Sequence, residues 1–415
     1  MTQPTLIAGG GIGGLACALA LSREGVHSVV LEQADALGEV GAGLQLGPNA
    51  VRVLAEWGLM DALHECAAFP EALHVRDAHS AALLGHLRLG AMALARHGQV
   101  YATLHRADLH AMLLNALHRF PEQASLRLGS RLSSFQESDH GVQAMLADGE
   151  RIEGEALIGC DGLWSRVRSQ LLGEQPPRTT GHLAYRGMVR TAELPPALRA
   201  NLVTAWLGPR LHVVHYPVKQ GDWFNVVAVV HGTLAPGDDP QGWTHEAHAA
   251  ELRRALGPAC TELMSMLDAV AEWKLWPLND RPPVQGPLEQ ARGRVALLGD
   301  AAHPMRPYLA QGAAMAIEDA WTLGRLSHSR RGQIDWPAVF AQYAELRWAR
   351  NAQVQARSQR NGTIFHAAGP LRWARDRAMA LLGERLLDNT WLYGGPPEPP
   401  PAVPETPSIR KRKTT

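Results

Sequence analysis

Apolar and polar positions along the 415-residue chain fall into a few patterns that change at definable points. Near the start, the run Thr5–Ala8 predicts a strand covered on both faces. The small and apolar residues Leu15–Arg23 predict a helix, and Ser28–Leu31 predicts a second buried strand. Gly25 stands where a helix end favours positive φ. Ala50–Trp57, closed by Gly58, and Arg106–His118 predict further helices, with short strands between about Leu73 and Leu104. Residues 126–158 alternate as in a small antiparallel sheet and end in the buried strand Ala156–Gly159.

From about His182 to Leu278 period-two alternation dominates. Leu183–Arg190, Val203–Leu207, Leu211–Tyr216 and Asn225–Val230 predict an antiparallel or mixed sheet, and His245–Val270 predicts helix. Arg294–Leu298 then returns to the buried-strand pattern, a helix begins near Gln311, and Trp336 to about Leu387 reads as helical. The whole predicts an α/β fold. A discontinuous Rossmann-like domain (1–73, 100–181 and 279–335) carries an inserted mixed β-sheet domain (74–99 and 182–278), followed by C-terminal helices (336–395). Residues 396–415 hold seven prolines and then Arg410-Lys-Arg-Lys413, which predicts a disordered basic tail. No internal repeat is present.

Charge changes this picture only by exclusion. The 40 basic and 40 acidic residues balance, against the strongly basic surface of a general nucleic-acid binder. Cys17, Cys66, Cys160 and Cys260 stand singly, so neither a disulfide framework nor a zinc site is expected, and a reducing compartment suits them. The chain lacks an apolar run of the roughly 18 residues needed to span a bilayer, and it lacks a signal-peptide pattern, so a cytoplasmic location is expected. His245-Glu-Ala-His248 is one residue short of a zincin motif, and no other metal-like histidine cluster is evident. The P-loop and G-x-S-x-G motifs are absent.

Chemistry enters with the glycines. Gly9-x-Gly11-x-x-Gly14 lies between a predicted strand and helix, with Glu32 at the end of the next strand. Gly9 allows a tight turn, Gly11 lets a pyrophosphate approach the backbone, and Gly14 permits close helix–strand packing. The helix N-terminus offers free N–H groups to phosphates, and Glu32 can accept from ribose hydroxyls. Far downstream, the strand Arg294–Leu298 ends in Gly299-Asp300, and Gly312-Ala-Ala-Met-Ala-Ile-Glu-Asp319 opens a helix rich in small residues. Asp300 is suited to a polyol hydroxyl, such as a flavin ribitol, and the helix start to a ring that gathers negative charge on reduction. Gly159-Cys-Asp161-Gly supplies another acid and glycine at a strand end.

These separated motifs, together with Arg106 in His105-Arg-Ala-Asp-Leu109, resemble the single-component FAD-dependent aromatic hydroxylases of the 4-hydroxybenzoate hydroxylase fold. The resemblance covers about residues 4–395. Within that family Gly38–Asn49, His212-Val-Val-His-Tyr-Pro217 and Met305-Arg-Pro-Tyr-Leu-Ala-Gln-Gly312 look most like hydroxylases of salicylate, 3-hydroxybenzoate and 6-hydroxynicotinate. The resemblance implies that the Rossmann-like domain binds FAD non-covalently and that the inserted sheet is the substrate domain. It further implies transient reduction by NADH or NADPH and insertion of one oxygen atom from O2 into a small phenolic acid through a C4a-hydroperoxyflavin. Gly9, Gly11, Gly13, Gly14, Glu32, Gln33, Arg106, Asp161, Gly299, Asp300, Gln311, Gly312 and Ala313 are the implied cofactor residues.

An electrophilic oxygen needs an electron-rich ring, ideally a phenolate, so a base of near-neutral pKa should reach the phenol. Strand alternation puts His212, Val214 and Tyr216 on one face and His215 on the other. His212 is therefore the expected base and Tyr216 the positioning or proton-relay group, and the resemblance implies a pocket histidine and tyrosine at these positions. Tyr308 is expected as a further catalytic and substrate-binding group, Gln45 and Pro307 as substrate-binding positions, and Trp206, Trp223 and Trp276 as core. Pro307 stands where 3-hydroxybenzoate 6-hydroxylases are expected to carry glutamine, and Tyr308 where 6-hydroxynicotinate enzymes are expected to carry histidine. Two alternatives stay open: a flavin dehydrogenase or reductase on the same fold, and a non-catalytic flavin-binding redox regulator. A homodimer is compatible with the sequence.

Overall fold

The structure, a computed structural model, describes residues 3–38, 42–173, 176–234, 239, 245–247, 249–328 and 334–396. The tail beyond 396, residues 39–41 of the Gly-rich connection and His248 lie outside the described residues. The first sheet has six strands in the order Ala291–Arg292, Val295–Leu297, Ala156–Gly159, Thr5–Ala8, Ser28–Leu31 and Ala124–Arg127, of which the last five run parallel. The strands Val295–Leu297, Ala156–Gly159 and Thr5–Ala8 are buried throughout, as expected for a parallel sheet with helices on its faces.

Two helices crossing this sheet come unusually close. Gly324 in Gly312–Ser327 faces Ala20 of Ile12–Arg23, and a Cβ on Gly324 would lie 2.8 Å from that of Ala20. This approach brings the Gly-rich turn of the first strand beside the Gly299-Asp300 turn, although nearly 300 residues separate them in sequence.

The second sheet has eight strands, in the order His245–Ala247, Trp273–Asp280, Arg178–Arg190, Trp223–His231, Leu211–Val218, Leu202–Gly208, Ala72–Asp77 and Leu83–Arg88. All neighbours are antiparallel except Leu202–Gly208 with Ala72–Asp77, so the sheet is mixed. A three-stranded antiparallel sheet (Leu132–Ser138, Gly141–Leu146, Arg151–Gly154) and the pair Gly43–Leu46 with Ala102–His105 complete the β-structure.

Two expectations about elements require correction. The segment predicted helical from His245 begins as an edge strand, and its helices Ala249–Leu256 and Thr261–Asp268 are separated where Gly257, at φ +65°, precedes Pro258. The region predicted as short strands between Leu73 and Leu104 contains the helix Gly90–His97, ended by Gly98 at φ +70°. Its partly exposed small residues give a weak periodicity that tertiary context resolves as helix.

The long helix after residue 335 holds the Gly299 turn and the Gly312–Ser327 helix through a buried ionic cluster. Arg347 on Trp336–Phe365 donates to Asp319 (Nε–Oδ1 2.7 Å) and pairs with Glu318 (2.8 Å), and all three side chains are fully buried. Asp319 also accepts from the Gly299 N–H (3.1 Å) and contacts His303 (2.5 Å), while Glu318 accepts from Asn49 (2.8 Å) and Arg350 (2.7 Å). Burial pushes both carboxyls up, but Arg347 with His303 at Asp319, and with Arg350 at Glu318, holds them below the usual carboxylate range.

Removing one partner of such a cluster leaves a buried charge uncompensated, at a cost of about 3–5 kcal/mol. Arg347→Met should therefore lower the thermal midpoint of the protein sharply at neutral pH. Carboxyls depressed on folding contribute stability above their unfolded pKa and lose it as pH falls through the folded values. The gap between wild type and variant should thus narrow in acid. Equal midpoints at pH 7 would show that the cluster does not hold the fold.

Candidate active site

At the end of the Thr5–Ala8 strand the chain turns through Gly9, whose φ of +103° and close packing exclude a side chain, since a Cβ would lie 2.5 Å from the Cys160 carbonyl oxygen. A Cβ on Gly14 would meet the Gly9 oxygen at 1.9 Å, and one on Gly13 would meet Leu298 at 3.1 Å. Gly9 and Gly14 serve backbone packing, whereas Gly13 packs against the Leu298 side chain and also borders a cleft. Gly11 differs: a Cβ there would meet nothing within 4 Å, because Gly11 opens onto the same cleft. It also caps Ile12–Arg23 without any side-chain bond, leaving the first N–H groups of that helix for a ligand.

The cleft has two chambers of about 320 and 340 Å³ that share Gly11, Arg106, Arg186 and Trp276. Together they fall in the size range of a pocket for a dinucleotide and a small ring. Glu32 and Gln33 line the first. The Glu32 carboxylate accepts from the Gly10 N–H (2.6 Å) and the Ala34 N–H (2.8 Å), so it braces the turn while facing the chamber. Arg106 opens the helix Arg106–Leu117 at the junction.

The second chamber lies between the Gly299–Ala313 segment and the eight-stranded sheet. Asp300 faces the cleft, where desolvation by the surrounding walls pushes its carboxyl up, opposed by His303 and Arg106. Gly299, Pro304, Pro307, Gln311, Gly312 and Ala313 also border it. Gln311 accepts from Asn49 (3.0 Å), whereas its Nε2 is buried without a partner. The open face at Gly11, the unsatisfied Gln311 amide and the helix start at Gly312 together fit a flavin dinucleotide with its ring against Gln311–Ala313.

Strand register aligns the opposite wall. His212 pairs with Val229, Val214 with Val227, and Arg186 with Val227 on the next strand, so these side chains share one face with Tyr216 and Trp276. His215 points to the other face, packed 6.3 Å from the Trp206 ring. Gln45 accepts from the Tyr101 hydroxyl (2.7 Å) and hydrogen-bonds Tyr216, so it ties two tyrosines together. Burial pushes the Tyr216 hydroxyl up, and it stays protonated.

Several expected residues are placed differently. Burial, then the neighbouring His182, pushes His212 down to about 3 rather than leaving it near neutral. Tyr308 does not border the cleft: it is buried, its ring is packed against Gly362, and its hydroxyl lies 2.6 Å from His182 Nδ1. The Asp161 carboxylate accepts from Ser165 Oγ (2.5 Å) and from the Arg166 and Val167 N–H groups (2.7 and 3.1 Å), so it caps Arg166–Leu172, while the nearby Cys160, Gly162 and Leu163 border the cleft.

Other residues were not foreseen. Trp276, expected in the core, lines both chambers beneath Arg186, whose guanidinium carbon is 3.9 Å from the ring centroid. Arg186 Nε is buried without a hydrogen-bond partner, and burial pushes the guanidinium down to about 10. An arginine at a position that alternates with Ala184 and Met188 was the available signal. No metal cluster was expected, yet His182, His231 and His366 bring ring nitrogens within 4.8 Å of one another. Their separation in sequence hid the grouping. Both His366 nitrogens are engaged by other histidines: Nε2 by His212 Nδ1 (2.7 Å) and Nδ1 by His231 Nε2 (3.0 Å). No helix among the described residues is long and apolar enough to cross a membrane.

The family described as an FAD binding domain matches residues 2–358. A 3-hydroxybenzoate 6-hydroxylase of Polaromonas naphthalenivorans is 38% identical over 394 residues, which cover 94% of this chain and 96% of that protein. A 6-hydroxynicotinate 3-monooxygenase of Bordetella bronchiseptica is 36% identical over 357 residues, covering 86% and 90%. Among solved structures, a salicylate hydroxylase substrate complex superimposes with a TM-score of 0.79 at 28% identity, covering 94% of this chain and 95% of that one. Klebsiella pneumoniae HpxO complexed with FAD and uric acid does so with a TM-score of 0.80 at 26% identity, covering 92% and 94%.

The glycine environments separate cofactor binding from folding. Gly11→Ala should leave the melting behaviour of the FAD-free protein unchanged but weaken FAD binding by about tenfold or more, since one lost close approach of roughly 1.4 kcal/mol suffices. Gly14→Ala should not give folded protein. Asp300→Ala should purify with substoichiometric FAD, read from the ratio of flavin to protein absorbance. A fully yellow preparation would remove Asp300 from the cofactor site.

Proposed function

The chain belongs to the FAD binding domain family of flavin-dependent aromatic hydroxylases, and from that membership we propose that it hydroxylates a small phenolic acid of the salicylate or 3-hydroxybenzoate type. NADH or NADPH serves as transient reductant and O2 as the oxygen source. The observation that carries this reading is the face shared by His212 and Tyr216, opposite the Gln311–Ala313 helix start in one chamber. A phenol held there has a ring nitrogen on one side and a phenolic donor on the other.

Gly11, the Ile12–Arg23 N-terminus and Arg106 would hold the pyrophosphate, Glu32 and Gln33 the adenosine side, and Asp300 the ribityl chain. When bound and reduced, FAD supplies the activation of O2 that transfers one oxygen atom. His212 Nε2 accepts the phenol proton, and the resulting phenolate is the more electron-rich ring. Tyr216, held by Gln45, donates to the substrate and fixes its orientation. Arg186, without a hydrogen-bonded carboxylate among the described residues, favours anions in both chambers. Pro307 contributes an apolar wall and no donor. The close-packed sheet and Trp276 exclude water from the reacting ring.

The domain boundaries given above are those we propose, with the substrate domain carried by residues 74–99 and 182–278. We place the protein in the cytoplasm, in keeping with four free cysteines. A homodimer would cover the exposed Trp373, Leu381 and Leu382, and light scattering on the purified protein reads its mass directly.

A panel of hydroxybenzoates and 6-hydroxynicotinate, scored by product mass and ring position, identifies the substrate. None of them yielding an oxygenated product would sink the assignment. His212→Ala should keep FAD but lower hydroxylation by roughly 10²-fold or more, with NAD(P)H turnover diverted to hydrogen peroxide. An unchanged ratio of product to NAD(P)H would remove His212 from the mechanism.

A further inference from the structure

A buried imidazole held near pKa 3 is a poor place to leave a proton, yet it is the nitrogen base that faces the phenol. The contacts behind it show where a proton can go. His212 Nδ1 lies 2.7 Å from His366 Nε2, and His366 Nδ1 lies 3.0 Å from His231 Nε2. His212 and His366 are buried, at 3% and 7% exposure, whereas His231 is exposed to solvent. The His212 Nε2 has no protein partner among the described residues and is the ring nitrogen left for the cleft.

Backbone bonds fix this spacing. The Arg210 N–H donates to the His366 carbonyl (3.1 Å), and the His231 N–H donates to the Arg210 carbonyl (3.3 Å). Arg210 sits at φ +64° in the turn that joins Leu202–Gly208 to Leu211–Val218, so one turn holds the two outer histidines to the strand that carries the inner one. Desolvation keeps His212 and His366 neutral, aided at His366 by the neighbouring His212, His182 and His231 and then by Arg306, while partial desolvation and then Arg210 push the more exposed His231 the same way. A neutral imidazole has one donor and one acceptor nitrogen, which is what passing a proton through a ring requires.

We propose that His212, His366 and His231 form a proton relay that carries the substrate phenol proton from the buried cleft to solvent, with His366 and His231 acting as positioning residues through His212. This rests on the reading of His212 as the pocket base. The phenol O–H breaks as His212 Nε2–H forms. The Nδ1–H of His212 passes to His366 Nε2, the Nδ1–H of His366 passes to His231 Nε2, and the Nδ1–H of His231 is released to water. One proton leaves the phenol and one enters solvent, with no net charge left on any ring. The reverse passage reprotonates the product and restores each tautomer.

The test uses oxidised holoenzyme and 3-hydroxybenzoate as probe, with proton release followed by a pH indicator in weakly buffered solution and binding followed by flavin absorbance. His231→Ala, at an exposed position, should slow proton release by about tenfold or more with little change in binding, and free imidazole should restore the rate. His366→Gln, which can bond but cannot relay, should show the same loss without rescue. Normal release in both variants, with loss in His212→Gln, would overturn the relay and leave the base intact. No effect in His212→Gln, or no release from wild type, would remove both readings. Independently of any ligand, nitrogen-15 correlation spectra of histidine-labelled protein should show His212 and His366 as Nδ1–H tautomers. A His212 already protonated on Nε2 would overturn the proposal.

Discussion

The fully buried Arg347 and its two acidic partners are the constraint on which the cleft depends. Glu318 and Asp319 sit about two turns inside the helix whose start faces the cofactor chamber, and Asp319 also holds the Gly299 N–H and His303 on the preceding turn. Through Glu318 the cluster reaches Asn49, which in turn fixes Gln311. The region from Gly299 to Asp319 and the distant Asn49 are thus tied to a single guanidinium from the long Trp336–Phe365 helix. Charges this deeply buried tolerate little displacement, because any loss of pairing exposes an uncompensated ion to a low-dielectric interior. A turn that must hold Asp300 and Gln311 at fixed positions gains precision from that intolerance.

The opposite wall follows a different logic. Strand alternation gives the eight-stranded sheet one face for the cleft and one for its own core, which is why His212 and Tyr216 reach the chamber and His215 does not. Burial on that face changes the chemistry of what it presents. Imidazoles become neutral and phenols stay protonated, so charge is concentrated in Arg186 on this wall and in Arg106 and Asp300 across from it. The neutral histidines can move a proton without storing it, and their arrangement behind His212 follows from one tight turn at Arg210 and from the end of the Trp336–Phe365 helix.

Much of the cofactor side was legible in residue order. Gly9, Gly11 and Gly14 lie in a local strand–turn–helix unit, so the tight turn at Gly9 and the close packing at Gly14 could be expected before any fold was known. The expectation that Pro307 borders the cleft also rested on local connectivity between the Gly299-Asp300 turn and the helix start. Asp161 looked equivalent to Asp300 because both end a buried strand beside a glycine. Whether such a carboxylate faces the ligand or caps the next helix is decided by side-chain direction, which spacing does not encode. Tyr308 was misplaced for the same reason: the segment is correct, but Pro307 and Gly362 send its ring behind the wall.

Sequence by itself determined the parallel nucleotide sheet, the mixed second sheet and the glycine turn, because period, turn residues and helix starts are local properties. It also determined that His212 and Tyr216 share a face, since alternation along a strand is geometric. Tertiary structure alone decided that Arg186 and Trp276 belong to the cleft, that Tyr308 does not, and that histidines at 182, 231 and 366 meet behind His212. Those outcomes depend on burial, long-range packing and the pKa shifts they cause. None of these is visible until distant segments are brought together.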